Sequence, residues 1–232
     1  MKVEYWSDFV CPYCYIGKTR MKKAIAQLGL EGQVTLEMKA FELDKDAPAE
    51  PTQTTYERYV ERFGEEGAAE QVEKTNAAAR GEGLEFNYGT TLNSNTFDAH
   101  RLAKLARSKG NDKLVDLLYD AHFANNEVLA DHAVLRRLAL EAGLEAEDVD
   151  RVLGSQEYSW AVRSEEDFVS SNGLTAVPFF LVDGQFPIPG AHGADYMASV
   201  LKQALAAEQA GGGAPVEKPE GQGEACGPGG CD

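Results

Sequence analysis

The tetrapeptide Cys11-Pro12-Tyr13-Cys14 stands where a short β-prone run, residues 3–7, gives way to helical spacing. Ile16, Met21, Ala24, Ile25 and Leu28 then recur on one helical face, and Gly29 supplies a stop. Residues 34–41 alternate apolar and polar side chains as a second strand would. Two strands joined by a helix are expected to lie parallel in one sheet, so the chain opens as a β–α–β unit with a dithiol at its first strand–helix junction. The remaining cysteines, Cys226 and Cys231, close the chain. All four are therefore in pairs, and both pairs stand at the extremities. Cysteines that only fill a core would be scattered through apolar runs; this arrangement points to redox chemistry.

From about residue 44 to 154 the pattern is helical. Tyr56, Tyr59, Val60 and Phe63 follow the spacing i, i+3, i+4, i+7, and an alanine-rich helix follows over 65–80, broken at Gly81-Glu82-Gly83. Ser94 or Asn95 can cap a helix that buries Phe97, Leu102 and Leu105. Leu114, Val115, Leu118 and Ala121 mark the next, and Asp131 can cap the one containing Val134, Leu135 and Leu138. A short helix over 145–153 closes this region. A further helix carries Trp160, Ala161 and Phe168 and ends at Asn172-Gly173. Two strands, 179–182 and 185–188, are then separated by Asp183-Gly184, a two-residue hairpin signal, and a last helix covers 194–208. Joined end to end, the order is β–α–β, a helical block, then α–β–β–α. The expected α/β architecture is a thioredoxin fold in two parts, 1–47 and 155–209, with an inserted all-helical domain over 48–154 and a flexible C-terminal tail over 210–232.

Hydrophobic content of 43% and charged content of 26% are ordinary for a globular chain. The net charge of −16 disfavours nucleic acid and anionic membranes as partners. No run approaches the ~20 apolar residues of a membrane span. Lys2, Glu4 and Asp8 stand where a signal peptide needs an apolar stretch, so the expected location is cytoplasmic. Structural disulfides are rare in that compartment, and a CxxC there reads as catalytic or metal-binding. No oligomeric state is read from the sequence.

The chain resembles the DsbA family of thiol–disulfide oxidoreductases, in particular the FrnE-like branch that is also similar to 2-hydroxychromene-2-carboxylate isomerases and kappa-class glutathione transferases. The resemblance rests on Ser7-Asp8-Phe9-Val10-Cys11-Pro12-Tyr13-Cys14-Tyr15-Ile16-Gly17, on Phe41-Glu42-Leu43, on Asn95-Thr96-Phe97-Asp98-Ala99-His100-Arg101, and on Val177-Pro178-Phe179-Phe180 followed by Gly190-Ala191. His192 departs from it, because many relatives have Gln there. The resemblance implies a protein dithiol–disulfide oxidoreductase or isomerase that needs no cofactor. Its partners would be protein thiols and disulfides and a cellular thiol reductant. It further implies a cis Val177-Pro178 bond facing Cys11, with Pro12, Tyr13 and Val177 contributing to the substrate surface. Related enzymes bury a carboxylate and a lysine under the active-site helix to move the resolving cysteine's proton. Glu4 and Lys39 fit that role and fit equally a pair of solvated strand charges.

Thiol–disulfide exchange needs a thiolate, and a free cysteine near pKa ~8.5 is mostly protonated at neutral pH. A helix start offers unpaired N–H groups and the positive end of the dipole, so a lowered pKa is expected for Cys11. Cys14, one turn further in, is expected to be the more buried and to resolve the mixed disulfide. Pro12 suits a first turn, where its missing N–H would have no partner. Strong oxidants of the family carry His where Tyr13 stands, so a less oxidising couple is expected here.

Two other functions compete. A zinc-binding regulatory protein could use the four cysteines, but zinc ribbons space their pairs ~15–20 residues apart and these lie at opposite ends of the chain. A glutathione-dependent transferase or isomerase of small aromatic substrates would, by the same resemblance, carry Ser in place of Cys11. His100, His122, His132 and His192 lack ligand spacing, so no metal site is expected. Gly211-Gly212-Gly213, Pro215, Pro219, Gly221 and Gly223 give the stretch before Cys226 the composition of a linker. Its reach of roughly 20–24 Å would let Cys226 or Cys231 meet Cys11, making the tail a mobile redox partner of the first pair.

Overall fold

The structure is a computed structural model, and it describes residues 1–210, 223–227 and 230–231. The chain divides into two compact units, Met1–Phe41 with Val169–Asp232, and Glu42–Phe168.

The first unit is built on a four-stranded sheet of β1 (Lys2–Ser7), β2 (Thr35–Ala40), β3 (Phe179–Val182) and β4 (Phe186–Pro189), in the order β2-β1-β3-β4. β1 and β2 are parallel, as their joining helix α1 (Pro12–Gln27) requires, whereas β3 runs antiparallel to β1 and to β4. Asp183 and Gly184 both take positive φ, 47° and 69°, which gives the two-residue turn the twist that a hairpin needs. Alternation along β1 sorts its side chains. Val3 and Tyr5 enter a core with Phe180, Val182, Phe186 and Ile188, closed by Met21, Ala24 and Ile25 of α1 and by Met197, Val200, Leu201 and Ala204 of α8 (Ala194–Ala210). Trp6 lies on the other face beside Phe179, with ring centroids 5.9 Å apart.

The second unit is helical: α2 (Thr55–Glu82), α3 (Phe97–Ser108), α4 (Lys113–Phe123), α5 (His132–Ala142), α6 (Ala146–Leu153) and most of α7 (Ser159–Ser171). The two helices expected over 56–80 are one element, kinked at Gly64. Gly81 does not break it; Gly83, at φ 82°, is the left-handed cap. Asp131 caps α5 by accepting from the Ala133 amide at 2.7 Å. Trp160 and Phe168, placed on α7 by their spacing, are exposed, and Val162 and Val169 are the residues that it buries. Among the described residues Arg101 is the largest fully buried side chain. Its guanidinium holds the Asp98 carboxylate at 2.7 Å and the carbonyls of Glu157 at 2.8 Å and Ser155 at 2.5 Å, so the charge is paired as burial demands.

Candidate active site

The chain leaves β1 at Ser7 and turns through Asp8, whose carbonyl accepts from the Cys11 amide at 3.2 Å. Cys11 is the N-cap of α1, with extended backbone (φ −92°, ψ 112°), and Pro12 occupies the first helical turn. Cys11 and Cys14 are thiols, not bonded to each other, and neither has any exposed surface. The expectation that Cys14 would be the more buried therefore fails. So does the expected fall in the Cys11 pKa: burial, and then the adjacent Cys14 thiol, push it well above the usual thiol range. The helix start cannot offset the loss of water around a fully enclosed sulfur. Tyr13 and Pro12, expected at the substrate surface, are buried as well.

Opposite α1 stands the loop that enters β3. The Val177–Pro178 bond is cis, and the Cys11 thiol donates to the Val177 carbonyl at 3.7 Å. Gly17, one turn beyond Cys14, permits the close approach. A Cβ there would lie 3.1 Å from Pro178 Cγ, 3.2 Å from Ala191 Cβ and 3.3 Å from Phe180 Cζ. The residues brought together are thus Cys11, Cys14, Val177 and Pro178.

The second cysteine pair is at the same place. Cys226 and Cys231 form a disulfide that joins β5 (Cys226–Gly227) to β6 (Gly230–Cys231). Cys226 is fully buried, and its segment makes antiparallel bridges to Val177, just ahead of β3, and to Ala191, just beyond β4. The Val177 amide donates to the Cys226 carbonyl at 2.8 Å, and the Cys226 amide returns a bond to the Val177 carbonyl at 2.7 Å. One carbonyl therefore accepts from both the Cys11 thiol and the Cys226 amide. Two residues earlier the pattern repeats: the Ala191 amide donates to the Glu224 carbonyl at 2.7 Å. The Gly223 amide reaches the Pro189 carbonyl at 3.3 Å and His192 Nε2 at 3.0 Å. Gly190, at φ 87°, and Gly223 face each other so closely that a Cβ on Gly223 would lie 2.8 Å from the His192 nitrogen. Residues 223–227 thus make defined backbone hydrogen bonds to the loops around Val177 and Ala191. The linker stretch over 211–222 lies outside the described residues.

Arg20, two turns into α1, completes the seat, its guanidinium donating to the Ala191 carbonyl at 2.5 Å and to Glu224 Oε2 at 3.1 Å. Burial, reinforced by the Arg20 charge, lowers the His192 pKa, which keeps Nε2 able to accept. Sequence reasoning missed Arg20, Gly223 and Glu224 as site residues. Arg20 had a signal: it follows Gly17 by three residues and so lies on the helix face that meets the Pro178 loop.

The other residues singled out in the sequence have structural partners. Lys39 binds Glu4 at 3.0 Å and Glu37 at 2.7 Å, and Lys2 binds the same two at 2.8 and 3.0 Å. Burial raises the Glu4 and Glu37 pKa values, but the two lysines outweigh it, leaving Glu4 below its usual range and Glu37 at about 2. Glu4 is therefore an ionised ion-pair partner and a poor proton carrier at neutral pH. Asn95 donates to Glu42 Oε1 at 3.2 Å and to the Lys45 carbonyl at 3.1 Å, while Phe97 stacks under Arg163. His100 and His122 are buried, and His132 binds Asp98 at 2.7 Å. Among the described residues no group of three or more His, Cys, Asp or Glu side chains could hold a metal ion. Cys226 and Cys231, two of the four cysteines that a zinc site would use, are joined to each other in a disulfide.

Known proteins are similar to this chain in sequence and fold. The chain is 35% identical to a probable DsbA oxidoreductase from Streptomyces coelicolor, with a TM-score of 0.84 over all of this chain and 98% of that one. It is 26% identical over 215 residues to the uncharacterized protein YwbO of Bacillus subtilis (strain 168), covering 89% of this chain and 96% of the relative. A 2-hydroxychromene-2-carboxylate isomerase shares the fold, with a TM-score of 0.63 at 13% identity over 91% of this chain and 98% of its own. The profile described as DSBA-like thioredoxin domain matches residues 2–203, which take in Cys11, Cys14 and the Val177–Pro178 loop. With a match of that extent, the chain belongs to the DsbA-like family of thioredoxin-fold oxidoreductases.

Proposed function

We propose that the protein is a dithiol–disulfide oxidoreductase of peptide and protein substrates, with Cys226–Cys231 as its internal redox partner. One observation carries the proposal: both backbone groups of Val177, beside the Cys11 thiol, are bonded to the backbone of a disulfide cysteine. An extended chain paired in this way offers its cysteine sulfur to the dithiol.

In the reaction, the Cys11 thiolate attacks the sulfur of Cys226. The Cys226–Cys231 bond breaks, Cys231 leaves as a thiolate, and a Cys11–Cys226 disulfide forms. Cys14 then attacks Cys11, releases Cys226, and leaves Cys11–Cys14 oxidised. Two electrons have moved from the CxxC pair to the tail, and the reverse sequence returns them. An external disulfide replaces the tail in the same steps, and a cellular thiol restores the reduced state. Scrambled disulfides are substrates of the isomerase form of this chemistry, in which Cys11 attacks and is displaced by a second substrate thiol. A reducing, cytoplasmic compartment suits a resting state with Cys11 and Cys14 as thiols. Nucleic acid and membrane partners are not part of the reading.

The test is a Cys14→Ser chain. Lacking the resolver, it should accumulate a Cys11–Cys226 disulfide by attack on Cys226–Cys231, and mixed disulfides with insulin by attack on its disulfides, whereas Cys11→Ser should accumulate neither. Trapping by Cys11→Ser instead would reverse the roles, and trapping by neither variant would remove the redox function.

A further inference from the structure

The tail crosses the ends of β3 and β4 in a defined register, and that register sets a charged side chain beside it. Val177 pairs with Cys226, and Ala191 pairs with Glu224. The backbone bonds at Val177 and Ala191 are made to main-chain groups, so they accept any sequence. The side chain two residues before the cysteine meets Arg20. Arg20 is oriented by its bond to the Ala191 carbonyl, its side chain is only 16% exposed, and it receives the Glu224 carboxylate at 3.1 Å. The His192 ring engages the Gly223 backbone amide as acceptor at 3.0 Å, and burial lowers its pKa. The fixed positive charge at this subsite is therefore that of Arg20.

We propose that Arg20 is a specificity-determining residue, and that the enzyme prefers disulfide substrates with a carboxylate side chain two positions before the cysteine it attacks. The tail, Glu224-Ala225-Cys226, is the chain's own copy of that Glu-x-Cys substrate class. The inference rests on the oxidoreductase reading above. Its physical basis is also local: the net charge of −16 would slow acidic peptides uniformly, so a preference for them would come from a subsite such as that of Arg20, where a cation meets the side chain of the docked segment. An Arg–carboxylate pair is a charge-assisted interaction with geometric preference, but Glu224 is 37% exposed and part of the attraction is screened. The expected discrimination is accordingly modest, about two- to five-fold between acidic and neutral side chains, and larger between acidic and basic ones.

The experiment uses the full-length chain carrying Cys226→Ser and Cys231→Ser, reduced beforehand with dithiothreitol and freed of it, so that the thiols present are Cys11 and Cys14. The substrates are extended peptides identical except for Glu, Gln or Lys two residues before a single cysteine, which is held in a mixed disulfide with thionitrobenzoate. Cys11 attacks the peptide sulfur and thionitrobenzoate leaves as its coloured thiolate. Cys14 then displaces the reduced peptide and the enzyme is left oxidised. The tail competes with all three peptides equally, so the ratios of second-order rate constants report the subsite alone. The expected order is Glu, then Gln, then Lys. Arg20→Glu should invert it, and Arg20→Lys should keep it. Combining Arg20→Glu with Glu224→Lys should restore the alkylation protection of Cys11 that Arg20→Glu loses, which separates a charge effect from misfolding. Equal rates for the three peptides, or an order unchanged in Arg20→Glu, would overturn the specificity while leaving the oxidoreductase intact. Release from none of them would overturn both.

Discussion

Replacing Gly223 by Ala should unseat the tail without altering any residue that performs chemistry. Among the described residues four backbone hydrogen bonds hold the segment, of 2.7–3.3 Å at Val177, Ala191 and Pro189. At about 0.5–1.5 kcal/mol net each, they contribute roughly 2–6 kcal/mol. Fixing the backbone of a handful of residues costs about 1–2 kcal/mol apiece, a sum of similar size. Docking is thus a small difference between opposed quantities, and a modest steric conflict decides it. An added Cβ would lie 2.8 Å from the His192 nitrogen and 2.9 Å from the Ala191 nitrogen and the Gly190 carbonyl carbon. All three are backbone atoms that cannot turn aside, so a cost of about 1–3 kcal/mol is expected, which raises the undocked population roughly 5- to 150-fold. The assay is iodoacetamide alkylation of Cys11 in the full-length chain with an oxidised tail, read by peptide mapping. The rate should climb in proportion to the undocked population, while far-ultraviolet circular dichroism stays unchanged. An alkylation rate within two-fold of the parent would mean that the tail does not shield the thiol, and the magnitude argument would fall with it.

Three further outcomes are expected. Alkylation of Cys11 in the parent should still be rising with pH beyond the usual thiol range, because its thiol is held protonated by burial and by Cys14, and Gly223→Ala should bring the inflection down; a plateau near pH 7 would contradict the raised value. Gly17→Ala should push Pro178 and Ala191 back by a few tenths of an ångström, costing about 1–3 kcal/mol in thermal unfolding, and should slow insulin reduction by more than that loss explains; undiminished turnover would show that the loop tolerates displacement. Burial, against the pull of His100 and Arg163, raises the Glu42 pKa from 4.5 to about 7. The folded chain therefore binds more protons there than the unfolded one, and this group's contribution to stability declines as pH rises from about 4.5 to 7. Glu42→Gln should flatten that slope in denaturant titrations at pH 5 and 8, by on the order of 1–3 kcal/mol; an unchanged slope would exclude Glu42 as its source.

The sequence by itself determined the order of elements and the location of the dithiol. Alternation in residues 3–7 and 34–41, helical spacing after Cys11, and Asp183-Gly184 between two apolar runs are local signals, and the strands, α1 and the hairpin formed where they stand. Those signals are short-range because backbone periodicity and turn chemistry are set by near neighbours. The site was legible to the extent that Cys11, Cys14 and Pro178 belong to motifs. Tertiary structure alone decided the rest. The Cys11 pKa depends on what encloses the sulfur, and a helix-start argument could not foresee a fully buried thiol. The same is true of Trp160 and Phe168, whose exposure follows from what packs against α7 and not from their own hydrophobicity. Residues 223–225 read as linker because they offer little to bury, yet the segment 223–227 is held by backbone hydrogen bonds to Val177, Pro189 and Ala191, and every residue but proline carries both groups. Arg20 and Glu224 meet only when that segment is docked, which is why no periodicity in the chain announces the pair.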